Sequence, residues 1–479
     1  MGKMAGNTVN SSIGQAGRKQ AKFSMLPSAV GIFVLLVLSI ILAVCHYSLI
    51  IPVLLFFLAL HLSFFGKASV RLLSNLGLLI AILMFITDLL RVYPQMTPLY
   101  IPVASFTMLT MLLFNDLQLV FLMSFACSVV VTLMSGNPIT FMITFFLSGL
   151  VGAYTVRGAR TRGRLIAAGL YVGLIQVLCA LLLNPVITHT TFDTVIKPLL
   201  LNGVICFFVV VSTLKIFETI FGEITHFTLL ELADASSQPL LKRMITEAPG
   251  THHHSFIVSN LSEAAADAIG AHSLLARVGS YYHDIGKMIK PEYFTENQVF
   301  SGNKHDDLEP SMSRLVILNH VKEGIELARK YRLNQKIIDF IPQHHGTGLI
   351  FYFYQRALEE ANGEKIEEEN YRYPGPKPQT RETAIVMLAD SVEGATRALD
   401  EHSPSRVDDI VRKVINNKFI DGQLDECNLT LRDIEVIGST FSRVLTAMYH
   451  GRVKYPDKKA NGHHNNKSAD ENSPPPDQN

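Results

Sequence analysis

Residues 28–221 of this 479-residue chain form an almost unbroken series of apolar blocks, and that feature decides most of what the chain can fold into. A stretch of roughly 17–25 apolar residues crosses the hydrocarbon core of a bilayer as a helix. In that solvent every backbone N–H and C=O must be bonded internally, so blocks of this length span as helices. The pattern predicts spans at 28–46, 49–65, 70–91, 98–113, 117–134, 138–156, 165–183 and 196–217, the second and fourth being short. Only "HYS" separates the first two, with no small-residue cleavage site, so the first reads as an anchor rather than a cleaved leader. Gln176 falls inside a span, where a polar side chain is expected to bond across to a neighbouring helix.

Lys and Arg near the span ends set orientation. The N-terminal tail carries Lys3, Arg18, Lys19 and Lys22 and no acid, Lys67 and Arg71 flank the third span, and "RGARTRGR" at 157–164 holds four arginines. Eight spans place all three basic segments and the C-terminal half on the cytoplasmic side; seven would leave the basic tail outside. The expected organisation is a basic cytoplasmic tail over 1–27, a membrane domain over 28–221, a juxtamembrane connector over 222–247, a soluble domain over 248–454, and a disordered polar, Pro-rich tail over 455–479. The net charge of +1 implies no general attraction to a nucleic-acid polymer. Four of the five cysteines sit in apolar blocks and Cys427 stands alone, which excludes a disulfide framework or a thiolate metal site.

Beyond residue 222 the apolar spacing turns amphipathic. Phe227, Leu230, Leu240, Leu241 and Met244 read as a helical connector broken near 236–239. Ile257, Val258, Leu261 and Ala265, then Leu274, Val278, Tyr282 and Ile285, recur at helical spacing, and blocks at 311–331, 334–345, 350–362, 379–399, 404–418 and 430–450 repeat it. Strand-type alternation is nearly absent. The fold class is therefore all-α, a polytopic helical membrane domain followed by an all-helical soluble domain. "EEANGEKIEEENYRYPGPKP" (Glu359–Pro378) reads most simply as a solvated loop.

Nine of the 17 histidines fall between His252 and His345. In chain order, His254, His283–Asp284, His320, His344–His345 and Asp390 combine imidazoles with carboxylates on apolar helices. Neighbouring helical side chains diverge by about 100°, so His283 and Asp284 would address different ions, and a carboxylate with two oxygens can bridge them. Seven ligands exceed the four of a structural zinc and suit two ions with open positions. Such a pair activates a water and clamps a phosphoryl group. Imidazole and carboxylate donors without thiolate favour Fe, Mn or Zn. Lys287, four residues after His283, is placed one helical turn on and would meet phosphate oxygens.

These residues carry a resemblance. "HDIGK", an upstream His, and a downstream "HH" and Asp resemble the HD phosphohydrolase superfamily. "LLELADASSQPLLKRMITEAPGTHHHS", "HDDLEPSMSRLVILNHVKEG", "QHHGTGLIFYFYQRA" and "RYPGPKPQTRETAIVMLADSVEGATRAL" are similar to the PgpH-type seven-transmembrane HD phosphodiesterases, over residues from about 28 to 450. That family hydrolyses cyclic di-AMP to pApA. The resemblance implies an HD domain over 248–454, a bacterial cytoplasmic-membrane location, and a cyclic dinucleotide, the lipid bilayer and a second copy of the chain as partners. It implies two divalent transition-metal ions, Fe or Mn, one held by His254, His283, Asp284 and Asp390 and the other by Asp284, His320, His344 and His345. The family's Gly-Thr-Tyr-His-His-Ser reads "GTHHHS" here, so His252 replaces a tyrosine and His253 becomes a neighbour of the substrate or of the ligands. Asp284 and Lys287 are the expected catalytic groups; Thr347, Ser311, Ser313 and Arg397 are the expected phosphate contacts.

The chain departs from the family's plan in one place, because the long extracellular domain that follows the first span in typical members is replaced by "HYS". Two alternatives stay open: an HD hydrolase of another nucleotide such as cyclic di-GMP, and a nucleotide-binding membrane receptor with little catalysis. "HHGTGLIFYFY" in place of the Gly-Tyr-Pro motif of cyclic di-GMP enzymes weighs against the first. The eight-span topology predicts that a cysteine introduced near residue 20 resists a membrane-impermeant thiol reagent applied from outside; labelling there would overturn it.

Overall fold

The computed structural model describes residues 69–93, 96–136, 139–183, 192–298, 302–361 and 365–449. The spans expected at 28–46 and 49–65 and both tails lie outside the described residues. The other six spans appear as helices: α1 (Val70–Arg91), α2 (Val103–Phe114), α3 (Leu117–Ser135), α4 (Ile139–Val156), α5 (Arg162–Leu183) and α6 (Lys197–Phe221), the last entered through a π turn at Phe192–Ile196. Five of these stretches are long and apolar enough to cross a bilayer, and the segment Pro98–Phe114 is shorter. Their outer faces expose Phe85, Leu170, Leu174, Leu182 and Phe208, while Leu79, Leu83, Met108, Val130 and Val172 are sealed inside. Apolar residues on both faces are what lipid on one side and protein on the other require.

The short span is broken, and its sequence says why. Pro98 and Pro102 lack N–H groups and restrict the residue before them, so a 3-10 turn (Pro98–Tyr100) and an extended step precede α2. That break frees the carbonyl of Leu99 and leaves that of Ile101 with a single close bond from Val103 N–H. The Asn202 amide of α6 donates to both at 2.8 Å, and its Oδ1 accepts from Gln176 Nε2 of α5 at 3.0 Å. Gln176 also donates to Ser148 of α4 at 3.2 Å, the cross-helix bonding expected of it. Close approach makes the network possible: a Cβ on Gly203 would lie 2.2 Å from the Gly169 carbonyl, so α5 and α6 meet backbone to backbone.

After Gly222, which caps α6 with φ +63°, come α7 (His226–Ala233) and α8 (Pro239–Glu247), separated by a turn close to the expected break. Then follow α9 (Pro249–Ala268), α10 (Ser273–Tyr282), a 3-10 turn at Ile285–Ile289, α11 (Pro310–Lys330), α12 (Gln335–Ile338), α13 (Phe340–Gln343), α14 (Phe351–Glu360), α15 (Arg381–Arg397), α16 (Pro404–Ile420) and α17 (Leu431–Tyr449). Among the described residues the only β feature is an isolated bridge between Leu349 and Arg372. One core joins Val258 and Leu261 of α9, Ile385 and Leu388 of α15, Val407 and Val411 of α16, and Ile437 and Phe441 of α17. A second joins Leu229 and Leu232 of α7 and Leu240, Leu241 and Met244 of α8 to Val278 and Tyr282 of α10 and Val321 of α11. The connector helices therefore share a hydrophobic core with the domain they lead into.

Replacing Asn202 with Leu leaves the buried Leu99 carbonyl unbonded, at about 1–3 kcal/mol, and leaves the Ile101 carbonyl only its bond from Val103 N–H at 2.9 Å. The detergent-solubilised Asn202→Leu protein should melt several degrees below wild type, whereas Ser212→Ala, at an exposed position of α6, should not. Equal melting of Asn202→Leu and wild type would remove the network from the fold's account.

Candidate metal centre

Five elements converge beside the junction of the two soluble cores. His254 comes from the first turns of α9, His320 from the middle of α11, His344–His345 from the turn after α13, and Asp390 from α15. His283 and Asp284 sit where α10 ends and the 3-10 turn begins, not on a continuous helix as their spacing suggested. The reason is crowding: a Cβ on Gly286 would fall 1.8 Å from the carbonyl of His320, so this segment lies against the backbone of α11. One donor atom from each of His254, His283, Asp284 and Asp390 lies within 4.8 Å of the others, and the same holds for Asp284, His320, His344 and His345. Asp284 belongs to both groups.

The Asp284 carboxylate is divided between them. Its Oδ2 lies 3.2 Å from His283 Nε2 and 3.7 Å from His254 Nε2, while Oδ1 lies 3.4 Å from both His320 Nε2 and His344 Nε2. The imidazoles are aimed from behind. Nδ1 of His283 donates to the Ser280 carbonyl at 2.6 Å, that of His320 to Ile317 at 2.5 Å, and that of His344 to Phe340 at 3.1 Å. His254 Nδ1 donates to the buried Glu393 carboxylate at 2.6 Å. Each such bond fixes the tautomer that turns a lone pair on Nε2 inward, the arrangement metal-ligating histidines use. Asp284 Oδ1 and the Nε2 atoms of His283 and His344 are buried without a hydrogen-bond partner, while Oδ2 has the Lys287 ammonium at 2.6 Å. Orphaned acceptors packed this closely are costly unless a cation satisfies them. The donor set therefore fits divalent ions.

The centre is electrostatically polarised. Burial opposes the charge of Asp284, yet His283 and Lys287 hold its carboxyl well below the usual carboxylate range. Burial also disfavours protonated His283, but Asp284 and Asp390 outweigh it and raise its pKa to about 10, so a divalent ion would have to displace that proton to reach Nε2. For His320 burial prevails and brings the pKa down to about 4. Lys287, the expected phosphate contact, is paired with carboxylates of the protein itself. Displaced from helical register by the 3-10 turn, its Nζ lies 2.6 Å from Asp284 Oδ2 and 2.9 Å from Glu296 Oε1. Its ammonium is an internal counter-ion.

The other sequence candidates fall at varying distances from the chemistry. His253 is exposed beside the buried His254, and His252 is half-buried. Ser311 is exposed at the start of α11, while Ser313 is buried with an unpartnered hydroxyl. Arg397 is not brought to the donor groups: it bonds Glu393 at 3.4 Å from the side facing away from His254 Nε2. Thr347 stands two residues after His345, where its N–H donates to Gln423 Oε1 at 2.9 Å. The segment expected as a solvated loop is partly structural. Tyr371 is buried, and Tyr373 stacks on His345 at 4.0 Å between ring centroids.

Sequence reasoning passed over Glu393, Glu296, Tyr373, Gln423 and Lys418. Glu393 carried a signal, lying three residues after Asp390 on one helical face. Lys418 is half-buried in the last turn of α16; burial lowers its pKa, with Asp390 and Asp421 opposing. Nothing local in the sequence connects Gln423 or Lys418 to the histidines.

Comparison with known proteins agrees with this architecture. Residues 35–225 match the family described as a 7TM receptor with intracellular HD hydrolase, and residues 251–395 match the HD domain. The cyclic-di-AMP phosphodiesterase PgpH of Bacillus subtilis (strain 168) is 36% identical over 404 residues, 82% of this chain and 56% of that protein. Its namesake from Listeria monocytogenes serotype 1/2a (strain 10403S) is 41% identical over 364 residues, 75% of this chain and 50% of that one. The crystal structure of the L. monocytogenes PgpH HD domain is 48% identical, covering 44% of this chain and all of that one, with a TM-score of 0.43. The chain spans about half the length of the curated relatives it matches. The chain carries a 7TM receptor segment followed by an HD domain, and it is homologous to the PgpH phosphodiesterases.

Proposed function

We propose that this chain is a membrane-anchored phosphodiesterase that opens cyclic di-AMP to pApA at a two-ion centre. The observation that carries the reading is the divided Asp284 carboxylate, with one oxygen facing His254 and His283 and the other facing His320 and His344. His254, His283, Asp284 and Asp390 would hold one ion and Asp284, His320, His344 and His345 the other, Fe or Mn suiting the donors. Ions so held supply an activated water and neutralise the oxygens of a phosphodiester. The protein's part is positional. Glu393 and the carbonyls of Ser280, Ile317 and Phe340 aim the imidazoles, Lys287 keeps Asp284 ionised, and Tyr373 packs His345 in place. The names of the curated relatives supply cyclic di-AMP as the substrate.

The same reading places the HD domain in the cytoplasm. Arg71 Nε donates to the Phe221 carbonyl at the end of α6, and Arg160 acts electrostatically on His226 and His272 of the soluble half. Two basic segments thus lie at the end of the bundle where the HD domain attaches, the side that Lys and Arg favour in a bacterial inner membrane.

Two measurements test the proposal. The purified full-length chain loaded with Mn should cleave cyclic di-AMP in preference to cyclic di-GMP, and chelation should abolish turnover; preference for the guanine compound would reassign the substrate. In metal analysis, Asp284→Ala should lose both ions and all detectable turnover, whereas His320→Ala should keep one ion with sharply reduced activity. Two tightly bound ions in Asp284→Ala would overturn the shared-carboxylate centre.

A further inference from the structure

A cyclic dinucleotide carries two phosphodiesters, so an enzyme that cleaves one has a second anion to accommodate. Most cations near the centre are already engaged. Lys287 lies between Asp284 and Glu296, Arg372 between Glu368, Asp421 and the Thr347 carbonyl, Lys377 is 3.5 Å from Asp425, and Arg397 bonds Glu393. Lys418 differs, forming no ion pair among the described residues.

Its placement follows from the register of α16. Val407, Val411 and Ile415 are buried at successive turns, and Lys418, three residues further on, continues the inward face. There it meets the turn that carries the last two histidines. A Cβ on Gly348 would lie 3.3 Å from Lys418 Nζ and 3.0 Å from the His345 carbonyl, so the bare glycine lets the ammonium come up against the ligand segment. The turn itself is clamped: Thr347 N–H donates to Gln423, and Arg372 donates to the Thr347 carbonyl at 2.9 Å. A half-buried ammonium with no carboxylate at ion-pair distance among the described residues, drawn only from further off by Asp390 and Asp421 and lying beside the clamped turn of the ligand histidines, suits a negative group brought in by the substrate.

We propose that Lys418 binds the phosphate of the cyclic dinucleotide that is not being cleaved. This rests on the phosphodiesterase reading above and assigns a residue that the HD signature does not contain. A phosphate contact positions a ligand without reading its base, so Lys418 contributes equally to adenine and guanine dinucleotides.

The test uses the full-length, Mn-loaded protein with cyclic di-AMP, cyclic di-GMP and bis(4-nitrophenyl) phosphate, which has a single phosphodiester. Lys418→Met should raise KM for both cyclic dinucleotides by the same factor, roughly 10- to 100-fold for loss of a charge-assisted bond. Its loss on bis(4-nitrophenyl) phosphate should be far smaller, its ion content that of wild type, and Lys418→Arg should recover most of the affinity. Equal losses on all three substrates, or an unchanged KM for the dinucleotides, overturns the assignment. Wild-type protein that cleaves neither cyclic dinucleotide overturns the underlying reading and this one with it, an outcome distinct from wild-type turnover that Lys418→Met leaves unaltered.

Discussion

A buried carboxylate whose two oxygens are divided between two pairs of histidines is the constraint around which the soluble half is built. Asp284 is 1% exposed, and four imidazoles and one ammonium surround it. Stripping water from a carboxylate is costly unless cations replace it, so the elements that bring those groups cannot be arranged independently. The close approach of the Gly286 segment to α11, the end of α10 at Tyr282 and the clamping of the turn after α13 serve one point in space. Lys287 shares this task, and its charge is used inside the protein.

That point is mechanically close to the bilayer. Tyr282, next in sequence to His283, donates its hydroxyl to the Leu232 carbonyl of α7 at 2.8 Å. Helix α7 begins four residues after Gly222, and the intervening turn is tied down by Glu218, which accepts from Thr225 N–H at 2.8 Å and from the Thr228 hydroxyl at 2.6 Å. Glu223 adds an ion pair to Lys336. Since α7 and α8 belong to the core that includes α10, few degrees of freedom separate the last membrane helix from the ligand pair.

The periodicity of the chain was legible where one solvent dominated. Helices α1 and α3 to α6 follow from apolar length, and α9, α11, α15 and α17 follow from an apolar stripe, because each signal is local. Less legible were segments whose structure depends on distant partners. The break before α2 survives because Asn202, about a hundred residues later, bonds its carbonyls. Tyr373 is drawn out of a charged, Pro/Gly-rich stretch by His345. A sequence pattern that reads such a stretch as solvated has no way to register a partner nearly thirty residues away.

For the candidate site, sequence alone determined the donor types and their order, because imidazole and carboxylate chemistry is written in residue identity. It could not determine what each donor faces. The division of Asp284 between two histidine pairs, the capture of Lys287 by Glu296, the diversion of Arg397 to Glu393 and the presence of Lys418 beside Gly348 are matters of a few ångströms between elements far apart in the chain. Coulomb and hydrogen-bond energies change steeply over such distances. The composition of the centre is thus a property of the sequence, and its wiring is a property of the tertiary fold.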